Sequence, residues 1–171
     1  LGSIMALFLS GESLECPSCP LSGESLRHLV LRGAMLFDAN LDSVDLSGVL
    51  VPCTTPFDPV TGEVDLVGFR ASLRSFLVHP VRGIVVGGST GEAVLLDEDE
   101  RMVLLQGARD LVPDDRLVVA GTGAESTRTT IRRCEESAGM GADAVLVQPP
   151  AFYRGAMTDA ALLEHYRAVA A

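Results

Sequence analysis

The sequence predicts an α/β fold built on a parallel sheet. Three observations predict it: four short and almost wholly apolar runs, a helical pattern after each, and loops rich in glycine or proline between run and helix. A strand apolar on both faces needs cover on both, and parallel neighbours need a crossover, which a helix supplies.

The first run, Val49 to Cys53, ends in a Thr-Thr-Pro-Phe-Asp-Pro turn. Asp65 then caps a helix that places Leu66, Phe69, Leu73, Phe76 and Leu77 on one face. Gly83 to Gly87 is the second strand. A glycine-rich loop leads from it to a helix with Met102, Val103, Leu104 and Leu105, closed by Leu111 and Pro113. Arg116 to Ala120 is the third strand, followed by Gly-Thr-Gly, Glu125-Ser126 and a helix to Met140. Asp143 to Val147 is the fourth, followed by Pro149-Pro150 and a helix from Thr158 to Ala170. The helices read as about 12 to 16 residues each. Four consecutive βα units suit half of an eightfold barrel or a small open doubly wound sheet, and pattern alone does not separate them.

Composition narrows the partners. With 171 residues, 47% apolar content and a mean hydropathy of +0.31, the chain can build a core. A net charge of −10 without a basic run excludes a phosphate-backbone partner, because nucleic-acid affinity comes from clustered Lys and Arg. No apolar run reaches the roughly 18 residues that span a bilayer, so no membrane partner is expected. A soluble intracellular protein follows, mitochondrial or cytoplasmic. Four cysteines do not make a secreted disulfide framework at this length. Cys16-Pro-Ser-Cys19 has the spacing of a zinc knuckle or redox pair. It lacks a second CxxC, an HxxxH and a βαβ context, so no metal is assigned.

Residues 1–47 differ from the rest and are expected to be an extension outside the domain, which runs over 48–171. Leu9 to Leu14 (Leu-Ser-Gly-Glu-Ser-Leu) recurs as Leu21 to Leu26, too few copies for a solenoid. The stretch holds Glu12, Glu15, Glu24, Asp38, Asp42 and Asp45, unlike an acid-poor mitochondrial presequence.

Loops at the carboxyl ends of parallel strands gather on one face, so Ser89, Thr90, Gly121 to Gly123 and Tyr153 are expected to converge. Gly87 and Gly88 allow a tight turn and close approach to a ligand, while Ser89 and Thr90 offer hydroxyls and nearby amides to a carboxylate. The bland alternative is that Ser89 and Thr90 cap the turn. Glu92, Asp97, Glu98, Asp99 and Glu100 stand where a helix begins and complement its macrodipole, a structural role. Arg154 suits a substrate carboxylate and a solvated loop equally. His28, His79 and His165 have no triad or ligand spacing.

The segment Gly83-Ile84-Val85-Val86-Gly87-Gly88-Ser89-Thr90-Gly91-Glu92-Ala93, with Glu100 beyond it, resembles the signature of the dihydrodipicolinate synthase/N-acetylneuraminate lyase family of class I aldolases. Thr55-Pro56-Phe57, Ala120 to Gly123 and Pro149 to Tyr153 follow in that family's order, and the resemblance covers residues 48–171. It implies the first four βα units of a (β/α)8 TIM barrel, truncated, whose open edges favour self-association. It also implies pyruvate chemistry through a Schiff base, with no cofactor. Phe152-Tyr153-Arg154-Gly155, Met157-Thr158 and His165-Tyr166 are most similar to the mitochondrial 4-hydroxy-2-oxoglutarate aldolase branch, which cleaves to pyruvate and glyoxylate. Vertebrate members of that branch carry Ser-Asn where this chain has Ser89-Thr90. The Ser-Thr version is similar to neuraminate lyases and many bacterial members, which keeps dihydrodipicolinate synthase and neuraminate lyase activities as alternatives.

By the resemblance, Gly88, Ser89 and Thr90 bind the carboxylate of a small α-keto acid such as pyruvate, and Ser89 joins a proton relay. Tyr153 matches a tyrosine that reaches across a dimer interface, which implies a homo-oligomer, dimer or tetramer, while Phe152 stands where the family has another tyrosine. The Schiff-base lysine and a second relay tyrosine belong to later strands. All thirteen basic residues here are arginine, so no side-chain amine replaces that lysine and the chain alone is expected to be inactive. A noncatalytic partner or a keto-acid-binding module is the reading from another class.

Overall fold

The computed structural model describes residues 48–171. The duplicated hexapeptide, Cys16, Cys19 and His28 lie outside the described residues. Leu50–His79 together with Gly83–Ala171 form one compact unit, and its architecture is as follows.

Strands β1 (Leu50–Pro52), β2 (Gly83–Val86), β3 (Leu117–Gly121) and β4 (Ala144–Leu146) alternate with helices α1 (Leu66–Leu77), α2 (Glu98–Arg109), α3 (Thr127–Gly139) and α4 (Asp159–Val169). Two 3-10 turns, Ala93–Leu95 and Arg154–Ala156, interrupt the second and fourth loops. The sheet is parallel throughout, in the order β1-β2-β3-β4. The fold is α/β, four βα units laid down in sequence as in the first half of a (β/α)8 barrel.

Each helix starts where a short oxygen-bearing side chain can satisfy a free N–H. Asp65 accepts from Gly68 N, Ser126 from Thr129 N and Thr158 from Ala161 N. Asp97 and Glu100 form a reciprocal capping box. The strand bounds lie within one residue of those expected, and α4, at 11 residues, falls just short of the expected helix length.

The core lies between the middle strands and the first two helices. Ile84, Val86, Val118 and Ala120 pack with Phe69, Leu73, Leu104, Leu105 and Ala108. Burying one such Leu or Phe side chain contributes about 1.5–3 kcal/mol. Cover on both faces does not extend to the edge strands: Leu50, Val145 and Leu146 are 40%, 39% and 43% exposed.

Polar side chains tie successive units together. Asp143 Oδ2 accepts from Val118 N at 2.8 Å and from Arg109 Nη1 at 3.1 Å, linking the start of β4 to β3 and to the end of α2. His165, buried on α4, meets Thr127 Oγ1 through Nδ1 at 2.9 Å, and so joins the last helix to the start of α3.

Candidate functional site on the carboxyl-end loops

The loop after β2 is shaped by backbone that side chains usually avoid. Gly87 has φ 66° and Glu92 has φ 53°, the latter a left-handed residue with a β-carbon. Such a conformation costs on the order of 1–3 kcal/mol and persists where the surroundings enforce it. The loop closes on itself: Gly91 N donates to Gly88 O at 3.1 Å, Glu92 N to Ser89 O at 3.1 Å and Ala93 N to Gly88 O at 3.3 Å. Thr55, buried in the loop after β1, donates from Oγ1 to Gly91 O at 2.7 Å and holds the loop's far end.

Neighbouring loops press against it. A β-carbon on Gly121 would overlap the Gly87 carbonyl, so the absence of a side chain lets the end of β3 lie against the β2 loop. A β-carbon on Gly123 would stand 2.6 Å from Gln148 N, which brings the loop after β4 equally close. The contact that joins them is a hydrogen bond from Gln148 Nε2 to Ser89 Oγ, at 2.5 Å.

Ser89 therefore does not cap the turn with its side chain. The 3-10 turn that follows is capped at Glu92 without a side-chain hydrogen bond, and Ser89 contributes only its carbonyl. Among the described residues, the N–H groups of Ser89 and Thr90 donate to no protein acceptor, and both side chains are exposed. Gly88, just before them, is buried, with Leu146 and Val85 close by.

The loop after β4 is held from the side. Glu125 accepts from Ala151 N at 3.2 Å and from Phe152 N at 3.0 Å. Tyr153 is 70% exposed, with its ring edge-on to Phe152 at 5.0 Å, and among the described residues its hydroxyl has no partner. The structure thus links Ser89 to Gln148, while Tyr153 stays at the surface. Arg154 is exposed in its 3-10 turn.

Two arginines brace this face from the helices. Arg101 of α2 donates from Nη1 to Gly121 O at 3.0 Å and from Nη2 to Ala93 O at 2.7 Å. Its guanidinium pKa is lowered, first by burial and then by the charge of Arg133. Arg133 of α3 donates to Gly123 O at 3.0 Å and pairs with Glu98. A cleft of about 330 Å³ lined by both arginines, Glu125 and Gln148 opens beside the loop.

The acidic cluster divides. Asp97 and Glu100 form the capping box at the start of α2, Glu92 takes the strained turn position, and Glu98 binds Arg133 across to α3. Among the described residues no group of three or more His, Cys, Asp or Glu side chains could hold a metal. None of the helices described is long and apolar enough to cross a membrane. Sequence reasoning missed Gln148, Glu125, Arg101 and Arg133. Only Gln148 carried a local signal, as a polar residue directly after an apolar strand.

The fold is that of the parallel α/β proteins, in which small-molecule sites are generally built from the loops at the carboxyl ends of the strands. Residues 45–171 match the Dihydrodipicolinate synthetase family, and the chain belongs to it. It is 42% identical over 127 residues to "Probable 4-hydroxy-2-oxoglutarate aldolase, mitochondrial" of Emericella nidulans, an alignment covering 72% of this chain and 41% of that protein. It is also 42% identical over 127 residues to 4-hydroxy-tetrahydrodipicolinate synthase of Xanthomonas campestris pv. campestris, covering 74% and 41%. Among solved structures, a dihydrodipicolinate synthase family protein from Coccidioides immitis superposes with TM-score 0.66 at 31% identity, over 76% of this chain and 42% of that one. Dihydrodipicolinate synthase from Aquifex aeolicus gives 0.65 at 30%, over 72% and 41%. The chain spans about two-fifths of the length of the curated relatives it matches.

Proposed function

We propose that this chain carries the keto-acid-binding part of a Schiff-base aldolase, with Gly88, Ser89 and Thr90 receiving the carboxylate of a small α-keto acid such as pyruvate. The observation that carries the reading is the loop itself: Ser89 and Thr90, both exposed, follow the buried Gly88, and among the described residues their backbone N–H groups have no acceptor. Adjacent hydroxyl and amide donors without an acceptor among the described residues suit a carboxylate, which accepts through both oxygens.

For the whole protein we favour 4-hydroxy-2-oxoglutarate aldolase-like cleavage to pyruvate and glyoxylate. Support comes from the likeness to the Emericella nidulans protein and from the Phe152-Tyr153-Arg154-Gly155 segment. A dihydrodipicolinate synthase-like activity is the runner-up, supported by an equal identity to the Xanthomonas campestris protein and by Thr90 in the loop. Tyr153, with its exposed phenol, and Ser89 serve as proton-relay groups, Tyr153 across a subunit boundary in a homo-oligomer.

Schiff-base formation needs a neutral amine at the keto carbon, and this sequence has no lysine. The chain alone binds keto acid without turning it over. Incubation with pyruvate and borohydride, read by intact mass, tests this: no side-chain adduct is expected, since only the α-amino group can react. A saturable adduct elsewhere in the chain would overturn it.

A further inference from the structure

We infer that Gln148 is a specificity-determining residue of the Ser89 loop, setting the Ser89 hydroxyl as a donor reserved for an anionic ligand. The inference rests on the keto-acid reading above. A serine hydroxyl has one proton to give and two lone pairs to receive. With Gln148 Nε2–H donating into Oγ, the Ser89 proton cannot point at Gln148 and turns toward the open side of the loop. Hydrogen bonds in series polarise one another, so a hydroxyl that accepts from an amide donates more strongly to a carboxylate.

Gln148 is held in place to do this. Its backbone lies against Gly123, where a β-carbon would come within 2.6 Å of its nitrogen and 2.9 Å of its Cβ and carbonyl oxygen. Two residues earlier Leu146 O accepts from Thr122 N at 3.1 Å, which fixes where the chain leaves β4. The Ser89 carbonyl is occupied by Glu92 N, so the hydroxyl and the backbone N–H are the parts of Ser89 left to address a ligand. Both Ser89 and Gln148 are exposed, so a small ligand reaches the pair directly.

Changing residue 148 therefore acts on charge preference more than on the loop's shape. Met keeps the length and removes the donor, freeing the hydroxyl to rotate. Glu reverses the polarity, because its carboxylate accepts the Ser89 proton and repels the ligand's negative charge.

The test compares pyruvate with methyl pyruvate, which has the same keto group and no charge, by NMR titration of the 171-residue chain. The unmodified chain should prefer pyruvate. Gln148→Met should lower that preference severalfold, short of the roughly tenfold that outright loss of a charge-assisted hydrogen bond would give, because the freed hydroxyl can still turn to the ligand. Gln148→Glu should abolish it, both variants losing more affinity for pyruvate than for methyl pyruvate. A variant that lost its fold would lose both ligands, and Gln148→Met then decides. Full preference for pyruvate in the variants would overturn the inference alone, whereas equal binding of the two compounds by the unmodified chain would overturn the carboxylate reading of the loop and this inference together. If the unmodified chain bound neither compound, the keto-acid reading would fall, and this inference with it.

Discussion

Arg133 Nε donates to both carboxylate oxygens of Glu98, at 3.0 and 3.2 Å, while Nη1 of the same guanidinium donates to the Gly123 carbonyl at 3.0 Å. One side chain on α3 thus grips the first turn of α2 and the loop after β3. The hydrogen bonds from Arg133 hold the Glu98 carboxyl below the usual carboxylate range, and the charges of Arg133, Arg101 and Arg132 add to this against the opposing effect of burial.

A carboxyl with a depressed folded pKa stabilises the fold above its unfolded pKa and loses that contribution as pH falls through the folded value. Glu98→Gln should therefore lower stability at neutral pH, by about 1 kcal/mol or less because the carboxylate is 43% exposed and screened by solvent. Urea denaturation of both proteins across a pH series checks this. The difference should shrink as pH drops below about 4, where ordinary carboxylates protonate; a gap that widens in acid would contradict it.

Two glycine-to-alanine substitutions should act in opposite directions. At Gly121 the new methyl would overlap the Gly87 carbonyl, and the backbone shift should cost about 3 kcal/mol. At Gly139, the last residue of α3, a new methyl would meet nothing within 4 Å, so alanine there should stabilise by about 0.5 kcal/mol. Thermal unfolding of the pair reads both signs.

Thr55→Val keeps the shape of a buried side chain and removes its hydrogen bond to Gly91 O. An unsatisfied buried carbonyl costs about 1–3 kcal/mol. Amide exchange should also quicken at Gly91 to Ala93, the segment this bond anchors. Unchanged exchange there would show that the loop is held by other contacts.

Cys53 is buried in the core, and burial pushes its thiol pKa up to about 12. Since the thiolate is the reactive form, iodoacetamide at neutral pH should label Cys53 only after denaturation. Peptide mapping checks this, and rapid labelling in the folded protein would contradict the packing described.

What the sequence reveals follows the range of the interactions. Asp65 as the cap of α1, and the face of Phe69 and Leu73, depend on neighbours within a turn or two and are legible. The family motif locates the Ser89 loop. The partner of Ser89 is 59 residues away and the partner of Glu98 is 35, and no local pattern encodes such pairings. For that reason Glu98 reads as a helix-dipole acid when it is also an inter-helix tether. The structure leaves Leu50, Val145 and Leu146 on the edge strands exposed. Apolar content alone does not reveal it, because it reports the tendency to be buried and leaves open which neighbour does the burying.

The central claim, that the Gly88-Ser89-Thr90 loop receives a keto-acid carboxylate, is tested most directly by titrating the isotopically labelled chain with pyruvate. Saturable shifts centred on the amides of Gly88 to Gly91 and on the Gln148 side chain, abolished by Ser89→Ala, are the predicted result. Shifts confined to other parts of the chain, or a response that Ser89→Ala leaves intact, would contradict it.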